Sequence, residues 1–526
     1  MVERIGDKLI LTYTGLEKAM AKFKSYDYSQ RVMIPVSLEE QLVPGTLGFA
    51  IQTLVEDRMD RSVFEDRYRN DETGRMAYDP KLLLKVVLLG YARGLIFSRK
   101  REQACRENVT FMALACGQRR ITVRSRFLFP RCRRRLYLFF GMFCWYAKRV
   151  DCWGGRFLRW TGASFPKSNA SKEWSGKISD LVRRKEKMEQ RVTELLKRQV
   201  EADQKDDKEE KDSDIFKGLN RPKQVERLRR KAERIRQFLK ENGAKIGRTG
   251  KEIKSNVTDN ESANMMTSPG GVQGYNGQAV VEGKFQVIVH GEAFGEGQDH
   301  YPVAPMVEGT KGNLGAIGHP EDCFEDKVWV ADSNYSSPAN WEACREEKLD
   351  AYIPDKKFRR RDPRFATQER WESGRRKKFG WEDFRYQRET DKYVCPNGKV
   401  WHRIAKKAIV DGIIYRRYVA NREDCLGCEL RARCLMGKIL RGRSLSIPVG
   451  VVPGNLLKEM GEKVDTERGR EIYHQRIGIA EPVFANIRAV KGLDRFTLRG
   501  KIKVNIQWVL SCMVHNIGKI MSYGFA

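Results

Sequence analysis

A short apolar run that ends on a carboxylate is the feature that most constrains this chain. Val328-Trp329-Val330-Ala331 is followed directly by Asp332. An apolar run of this length predicts a buried strand. An Asp at the exit of such a strand is held rigidly enough to serve as a metal ligand. A single Asp is a weak signal by itself, so its meaning depends on the rest of the chain.

Size and charge limit the classes of protein that fit this chain. Its 526 residues can form two or more domains, and its formal charge of +31 favours a polyanionic partner, with nucleic acid first. No run of about twenty apolar residues predicts a membrane span. The N-terminus lacks the layout of a signal peptide, so we expect a cytoplasmic protein. The twelve cysteines are then expected as thiols or metal ligands rather than disulfides.

Residues 1–118 are predicted to form a helical DNA-binding domain. One helix should begin at Pro80 and end near Gly94, and Ser98 should cap the next helix, over 99–106. A third short helix over 109–115 would complete a helix-turn-helix-like unit in which Arg99 and Lys100 touch DNA. An ordinary helical bundle fits the same pattern.

The middle of the chain predicts a mixed fold. Residues 172–245 carry two sparse apolar stripes in a highly charged background, which predicts an antiparallel helical hairpin with a solvated charged face. Residues 255–355 begin with a strand hairpin and continue with alternating helices and strands. This order indicates an α/β layer fold.

Residues 356–447 form a cysteine-bearing insertion. Cys425 and Cys428 are spaced as a CxxC knuckle, Cys434 follows closely, and Cys395 precedes them. Four thiolates suit tetrahedral Zn²⁺, and His402 competes with Cys395 as the fourth ligand. The alternative is a set of reduced thiols in a loop-rich insertion.

Several stretches together resemble insertion-sequence transposases of the DDE type. They are Tyr78-Asp79-Pro80-Lys81-Leu82-Leu83-Leu84, Ser98-Arg99-Lys100, Gly274-Tyr275-Asn276-Gly277-Gln278-Ala279, Ala331-Asp332-Ser333-Asn334-Tyr335, Tyr352-Ile353-Pro354-Asp355, Arg476 through Glu481-Pro482-Val483-Phe484, and Leu498-Arg499-Gly500. The set is specific, although no single motif would be. It covers nearly the whole chain except residues 119–166.

The resemblance implies an RNase H-like core that ends with residues 448–526. Asp332 and Glu481 would be the second and third carboxylates that hold Mg²⁺ or Mn²⁺, and Tyr473 and Arg476 would contact DNA phosphate. The spacing of Arg476 from Glu481 is one residue longer than the commonest pattern. Independently, Glu481 lies off an apolar stripe that should face the core, formed by Ile479, Val483, Ile487 and Val490.

The first carboxylate of the resemblance is absent. Residues 119–166 hold eleven Arg and one Lys against the single acid Asp151, with no clean period. Trp160 and Thr161 are encoded by TGG and ACN. In the neighbouring frame these bases contain GAC, the codon of an Asp. We therefore interpret 119–166 as an aberrant segment, bracketed by compensating frameshifts near 118 and 167, that replaces the first core strand. A genuine divergent segment is the alternative.

Three functions follow from this reading. The first is a transposase that binds double-stranded DNA, at the element's terminal repeats and its target, and catalyses Mg²⁺-dependent cleavage and transfer. This copy would be impaired, would act as a homo-oligomer on DNA and would associate with the nucleoid. A hydrolytic nuclease on the same core is the second. A non-enzymatic zinc- and DNA-binding protein is the third.

Overall fold

The computed structural model describes most of the chain. The described residues are 2–5, 8–11, 37–58, 78–119, 140–141, 143–144, 146–150, 153, 157–166, 172–206, 220–247, 250–267, 270–295, 303–316, 318, 323–325, 327–356, 358–365, 379, 383–404, 408–410, 413–435, 442–451 and 456–524. Residue 118, near the first expected frame junction, lies at the end of a described range, whereas residue 167, near the second, lies outside the described residues.

The N-terminal part is a short strand pair followed by helices. They are β1 (Val2–Ile5), β2 (Lys8–Leu11), α1 (Leu47–Arg58), α2 (Pro80–Ala92), α3 (Ser98–Glu107) and α4 (Val109–Leu114). Helix α2 begins at Pro80 as predicted, and the Asp79 side chain caps it by accepting from the Lys81 amide at 2.8 Å. Ser98 does not cap α3, because it already lies inside the helix and makes no capping hydrogen bond.

A six-stranded mixed sheet forms the centre of the molecule. Its strands are β3 (Phe157–Pro166), β6 (Ala263–Thr267), β7 (Gly270–Glu282), β8 (Ile288–Phe294), β9 (Val328–Val330) and β10 (Asp350–Tyr352). The order is β10-β9-β3-β7-β6, and β8 also pairs with β7. Strands β3, β7 and β8 are antiparallel neighbours, whereas β9 and β10 continue the sheet in parallel from β3.

Residues 119–166, whose sequence has no helical or strand period, therefore contain a strand, β3, that their composition did not indicate. Strand β3 pairs along its length with β7 and takes a central position in the sheet. Leu158 and Trp160 are buried on one face, as the period-2 alternation of a strand requires. The other face of β3 carries Arg159, which breaks the expected apolar pattern and explains why the strand was missed.

A helical hairpin projects from the sheet. It consists of α5 (Ile178–Asp206) and α6 (Asn220–Glu241), which pack on each other through two small apolar clusters. At its base, β4 (Ser175–Gly176) pairs with β5 (Ser255–Asn256). The Ser175 hydroxyl donates to Gln273 of β7 at 3.0 Å, so the base of the hairpin is bonded to the sheet.

The remaining strands form a second sheet near the cysteines. They are β11 (Arg385–Gln387), β12 (Lys392–Val394), β13 (Val400–Arg403), β14 (Ala408–Val410), β15 (Ile413–Val419) and β16 (Ser444–Val451). The remaining α-helices are α7 (Val303–Ala316), α8 (Pro338–Glu346), α9 (Phe358–Arg361), α10 (Arg422–Leu426), α11 (Arg431–Cys434), α12 (Leu456–Asp465), α13 (Glu467–Ala485) and α14 (Lys501–Tyr523). None of the described helices is long and apolar enough to cross a membrane.

Helix α14 is the buried hub of the core. Its side chains bond directly to the sheet: the Trp508 indole donates to the Gln278 carbonyl at 2.8 Å, and Asn516 donates to the Ile288 carbonyl at 2.8 Å. Helices α1 and α2 pack on the same helix and share its hydrophobic cluster. The N-terminal helices are thus joined to the sheet through one continuous core.

The predicted stripe on α13 is only partly correct. Val483 and Ile487 are fully buried, but Val490 is 65% exposed. A π-helical turn over Asn486–Val490 explains the difference, since the Lys491 amide donates to the Asn486 carbonyl five residues back. The extra residue in that turn rotates Val490 away from the core.

The folded protein should lose stability in acid because of His515, a residue of α14 that is buried in the core. Its Nε2 donates to the Gln286 carbonyl at 2.9 Å, and burial lowers its pKa to about 4. The unfolded chain, with a His pKa of about 6.5, binds the proton more readily, so stability falls as pH drops from 6.5 towards 4. At pH 5 the loss should be about 2 kcal/mol, and His515→Gln should remove that part of the pH dependence.

Urea unfolding at pH 7 and pH 5 measures this effect. The comparison is with the wild-type chain at the same two pH values. Equal pH dependence in wild type and His515→Gln would contradict the assignment.

Candidate functional site

The candidate site lies where β3 and β9 run side by side. Their parallel register pairs Arg159 with Val330. Thr161 lies two residues beyond Arg159 on β3, and Asp332 lies two residues beyond Val330, the last residue of β9. Side chains two residues apart in a strand point to the same face. Continued by two residues beyond the observed pairing, this register would place Thr161 level with Asp332 and on the same face. This is the position at which the resemblance expects the first carboxylate.

Helix α13 covers this face. Arg476 approaches Asp332 with 3.6 Å between Nη2 and Oδ2, and the preceding Gln475 accepts from Nη2 of Arg159 at 3.5 Å. The other oxygen of Asp332, Oδ1, accepts from the Ser333 hydroxyl at 3.1 Å. Both carboxylate oxygens of Asp332 thus face donors supplied by this chain.

Arg159 is a buried cation that is only partly compensated, by the Phe157 ring 5.0 Å from its guanidinium carbon and by Gln475. Its side chain is inaccessible to solvent, and within the described residues its Nε and Nη1 have no hydrogen-bond partner. Burial, and then the neighbouring Arg476, lower the pKa of Arg159 to about 10. Arg159 therefore remains charged at neutral pH. The Arg159 guanidinium thus lies near that of Arg476, and Arg476 in turn faces the Asp332 carboxylate.

Glu481 lies on the same helix but apart from Asp332. It is exposed, five residues beyond Arg476, which corresponds to roughly 7 Å along the helix axis. Across the described ranges, no three or more His, Cys, Asp or Glu side chains form a group that could hold a metal ion. The residues present therefore do not fit the pair of divalent ions that the resemblance implies.

The two residues expected to contact DNA phosphate are half-buried or buried. Tyr473 packs edge-on against Phe358 with ring centroids 5.0 Å apart, and burial raises the pKa of its hydroxyl. Arg476 is only 7% exposed and is engaged with Asp332. Their proposed contact with DNA stays a prediction. Arg99 and Lys100, in contrast, are exposed at the start of α3.

The predicted zinc ligands share a small hydrophobic cluster. Cys425 is buried in it, and Cys395 and Cys434 pack against its edge. Cys434 Sγ accepts from Arg443 at 3.1 Å, and Cys428 Sγ accepts from Asn397 at 3.4 Å. Among the residues described, the four thiols do not form a metal-binding group. The zinc site, with His402 exposed on β13, stays a prediction for elemental analysis.

Two residues of this site were not found from the sequence. Arg159 and Gln475 link β3 to α13, yet neither belongs to a recognisable motif. The only signal in the sequence was that the apolar Leu158 and Trp160 alternate with the polar Arg159 and Thr161. This alternation is typical of a strand, but it does not indicate that the face carrying Arg159 is also buried.

Comparison with known families adds two matches. A family model described as Transposase DDE domain matches residues 394–521, and one described as Transposase domain (DUF772) matches residues 36–135. Together they cover less than half of the chain. The first includes Glu481 and the cysteines but not Asp332 or β3. No curated protein and no solved structure matches the chain.

The two matches confirm the resemblance to insertion-sequence DDE transposases. They indicate a transposase function, with an enzyme of the polynucleotidyl-transferase type and DNA as its partner. The DUF772 match also continues to residue 135, past the expected frame junction near 118.

Replacing Arg159 with Met should stabilise the chain. Substituting buried charged groups with apolar side chains of similar volume is often neutral or stabilising, by about 1–4 kcal/mol. We therefore expect Arg159→Met to raise the urea midpoint. Arg495→Met, at an exposed position, is the control and should change stability by less than about 0.5 kcal/mol. A lower midpoint for Arg159→Met would mean that its guanidinium is well compensated in the folded protein.

Proposed function

We propose that this chain is an insertion-sequence transposase that binds element DNA but is impaired in catalysis. The observation that carries the proposal is the arrangement beside Asp332. If the β3–β9 register continues by two residues, Thr161 stands level with Asp332. Arg476 lies 3.6 Å from that carboxylate, and Arg159 is buried near Arg476. A site built for a cation would hold additional carboxylates at this point.

The order of the strands supports an RNase H-like core. An antiparallel β3-β7-β8 unit is extended from β3 by the parallel strands β9 and β10. Helix α13 packs on the face that carries Asp332 and brings Glu481 with it. In this reading β3 is the first core strand, and its missing Asp would stand at or next to Thr161.

Mg²⁺ or Mn²⁺ would supply the chemistry of strand cleavage and transfer in an intact member of the family. These are hard cations that prefer several carboxylate oxygens. In this chain Arg476 would compete with a metal ion for Oδ2 of Asp332, and the buried Arg159 adds positive charge near Arg476. The electrostatics here disfavour a divalent cation, which supports impaired catalysis.

The frameshift interpretation remains our explanation for this arrangement. Strand β3 contains the Trp160-Thr161 pair whose codons conceal an Asp in the neighbouring frame. Because the DUF772 match reaches residue 135, we move the first junction from near 118 to between 135 and the start of β3. The second junction stays near 167.

DNA binding should survive in this chain, because the exposed basic residues do not depend on the metal site. The double charge reversal Arg99→Glu and Lys100→Glu should weaken duplex binding. Each phosphate contact adds about 0.9 to the magnitude of the log–log salt slope, so losing two should lower it by about 1.8. Filter binding between low and moderate salt measures the slope. The matched reversal of exposed Arg385 and Arg388 should have a smaller effect. Equal slopes for the two double variants would count against α3 as a DNA-contacting helix.

Catalysis should return when the segment between the two junctions is translated in the restored frame. We expect the unrepaired chain to bind terminal-repeat DNA without cleaving it, and the repaired chain to cleave and join it with Mg²⁺. Asp332→Ala or Glu481→Ala should then abolish the recovered activity. Equal cleavage and joining by the unrepaired chain would overturn the proposal. Cleavage without joining by the repaired chain would favour a hydrolytic nuclease.

A further inference from the structure

The helical hairpin has one strongly basic helix. Helix α6 carries nine Lys or Arg against three Glu, whereas α5 carries eight against seven acidic residues. Apolar side chains such as Leu181 and Ile235 hold the helices together, so α6 keeps its charge on the outside. The surplus of positive charge is thus concentrated on one side of the hairpin.

The charge on one flank of α6 is neutralised within the hairpin. Arg236 pairs with Glu189 of α5 and with Glu233, each at 2.6 Å. Arg191 on α5 similarly pairs with Glu194 at 2.8 Å. This flank is a solvated face with balanced charge, as the sequence predicted for the whole hairpin.

The opposite flank of α6 forms a basic groove with the turn that ends at Trp174. The groove contains five Lys or Arg and one Glu, and its charged side chains come from α6: Lys223, Glu226, Arg227, Arg230, Lys231 and Arg234. Arg230 pairs with Glu226 at 2.7 Å and Lys231 with Glu173 at 2.9 Å, so the positive charge in excess comes from the other three cations. Spacings of four, three and four residues put Lys223, Arg227, Arg230 and Arg234 on one side of the helix. These four residues are exposed and span about 16 Å along the axis.

Trp174 orients part of this groove. The Arg234 guanidinium lies 5.4 Å from the indole centroid, and the Lys231 ammonium lies 5.8 Å from it. Because Lys231 and Arg234 lie over the Trp174 ring, the ring is not free to stack on the bases of single-stranded DNA. The groove is better suited to binding the phosphate backbone. The bond from Ser175 to Gln273 fixes the base of the groove to the central sheet.

We infer that this α6 groove binds the phosphate backbone of duplex DNA, at a surface separate from both α3 and the site at Asp332. The inference rests on the proposed function, in that DNA is taken as the partner. Duplex DNA presents about one negative charge per 1.7 Å of its axis, so several phosphates lie along a basic row of this length. Lys and Arg can only donate hydrogen bonds, which suits phosphate oxygens and carries no sequence preference.

The test compares salt dependence of duplex binding in the full-length chain. Neutralising three groove cations should reduce affinity at moderate salt at least tenfold and lower the salt slope by about 2.7, at about 0.9 per contact. The variant is Lys223→Gln, Arg227→Gln and Arg234→Gln. A second variant, Arg227→Lys with Arg234→Lys, keeps the charge and should retain most of the slope.

The control removes the same number of charges from other faces of the hairpin. It replaces three exposed residues by Gln: Arg191, Arg198 and Arg236. The inference is supported if only the groove variant loses slope, and overturned if the groove and control variants have equal slopes. If wild type shows no salt-dependent DNA binding, the proposed function fails instead. Coincident thermal unfolding of all variants confirms that the hairpin remains folded.

Discussion

The parallel pairing of β3 with β9 is the constraint on which the candidate site depends. It pairs Arg159 with Val330, and its continuation by two residues would bring Thr161 level with Asp332 on the same face. Helix α13 then closes over that face through Arg476 and Gln475. Because the pairing is made by backbone groups, it sets these positions whatever side chains β3 carries.

This independence from side chains explains how an unusual segment can still complete the sheet. On its other face β3 buries Trp160, whose indole donates to Gln278 at 3.0 Å and whose ring lies 4.0 Å from that of Tyr335. That face is well packed and bonded. The face towards α13 is less well satisfied, because it buries the Arg159 charge, and Nε and Nη1 have no hydrogen-bond partner among the described residues. The unfavourable electrostatics thus lie near the position at which the resemblance expects the first carboxylate.

The sequence predicted the elements whose local pattern of apolar and capping residues matches the way they pack in the folded protein. The capped start of α2, the strand before Asp332 and the two helices of the hairpin are of this kind. Strand β3 was missed because Arg159 places a charge on a buried face. Val490 was misplaced because a π turn is set by tertiary packing and leaves no mark on a helical period. The burial of Arg476 depends on contacts between segments far apart in the chain, which spacing alone does not contain.

The most direct test of an impaired metal site is calorimetric titration with Mn²⁺. The wild-type chain is compared with the double variant Thr161→Asp and Arg159→Leu, which restores a carboxylate level with Asp332 and removes the buried cation. The account predicts no saturable binding in wild type beyond that of an Asp332→Ala control. It predicts saturable binding in the double variant that Asp332→Ala abolishes. Saturable Mn²⁺ binding by the wild-type chain that depends on Asp332 would contradict it.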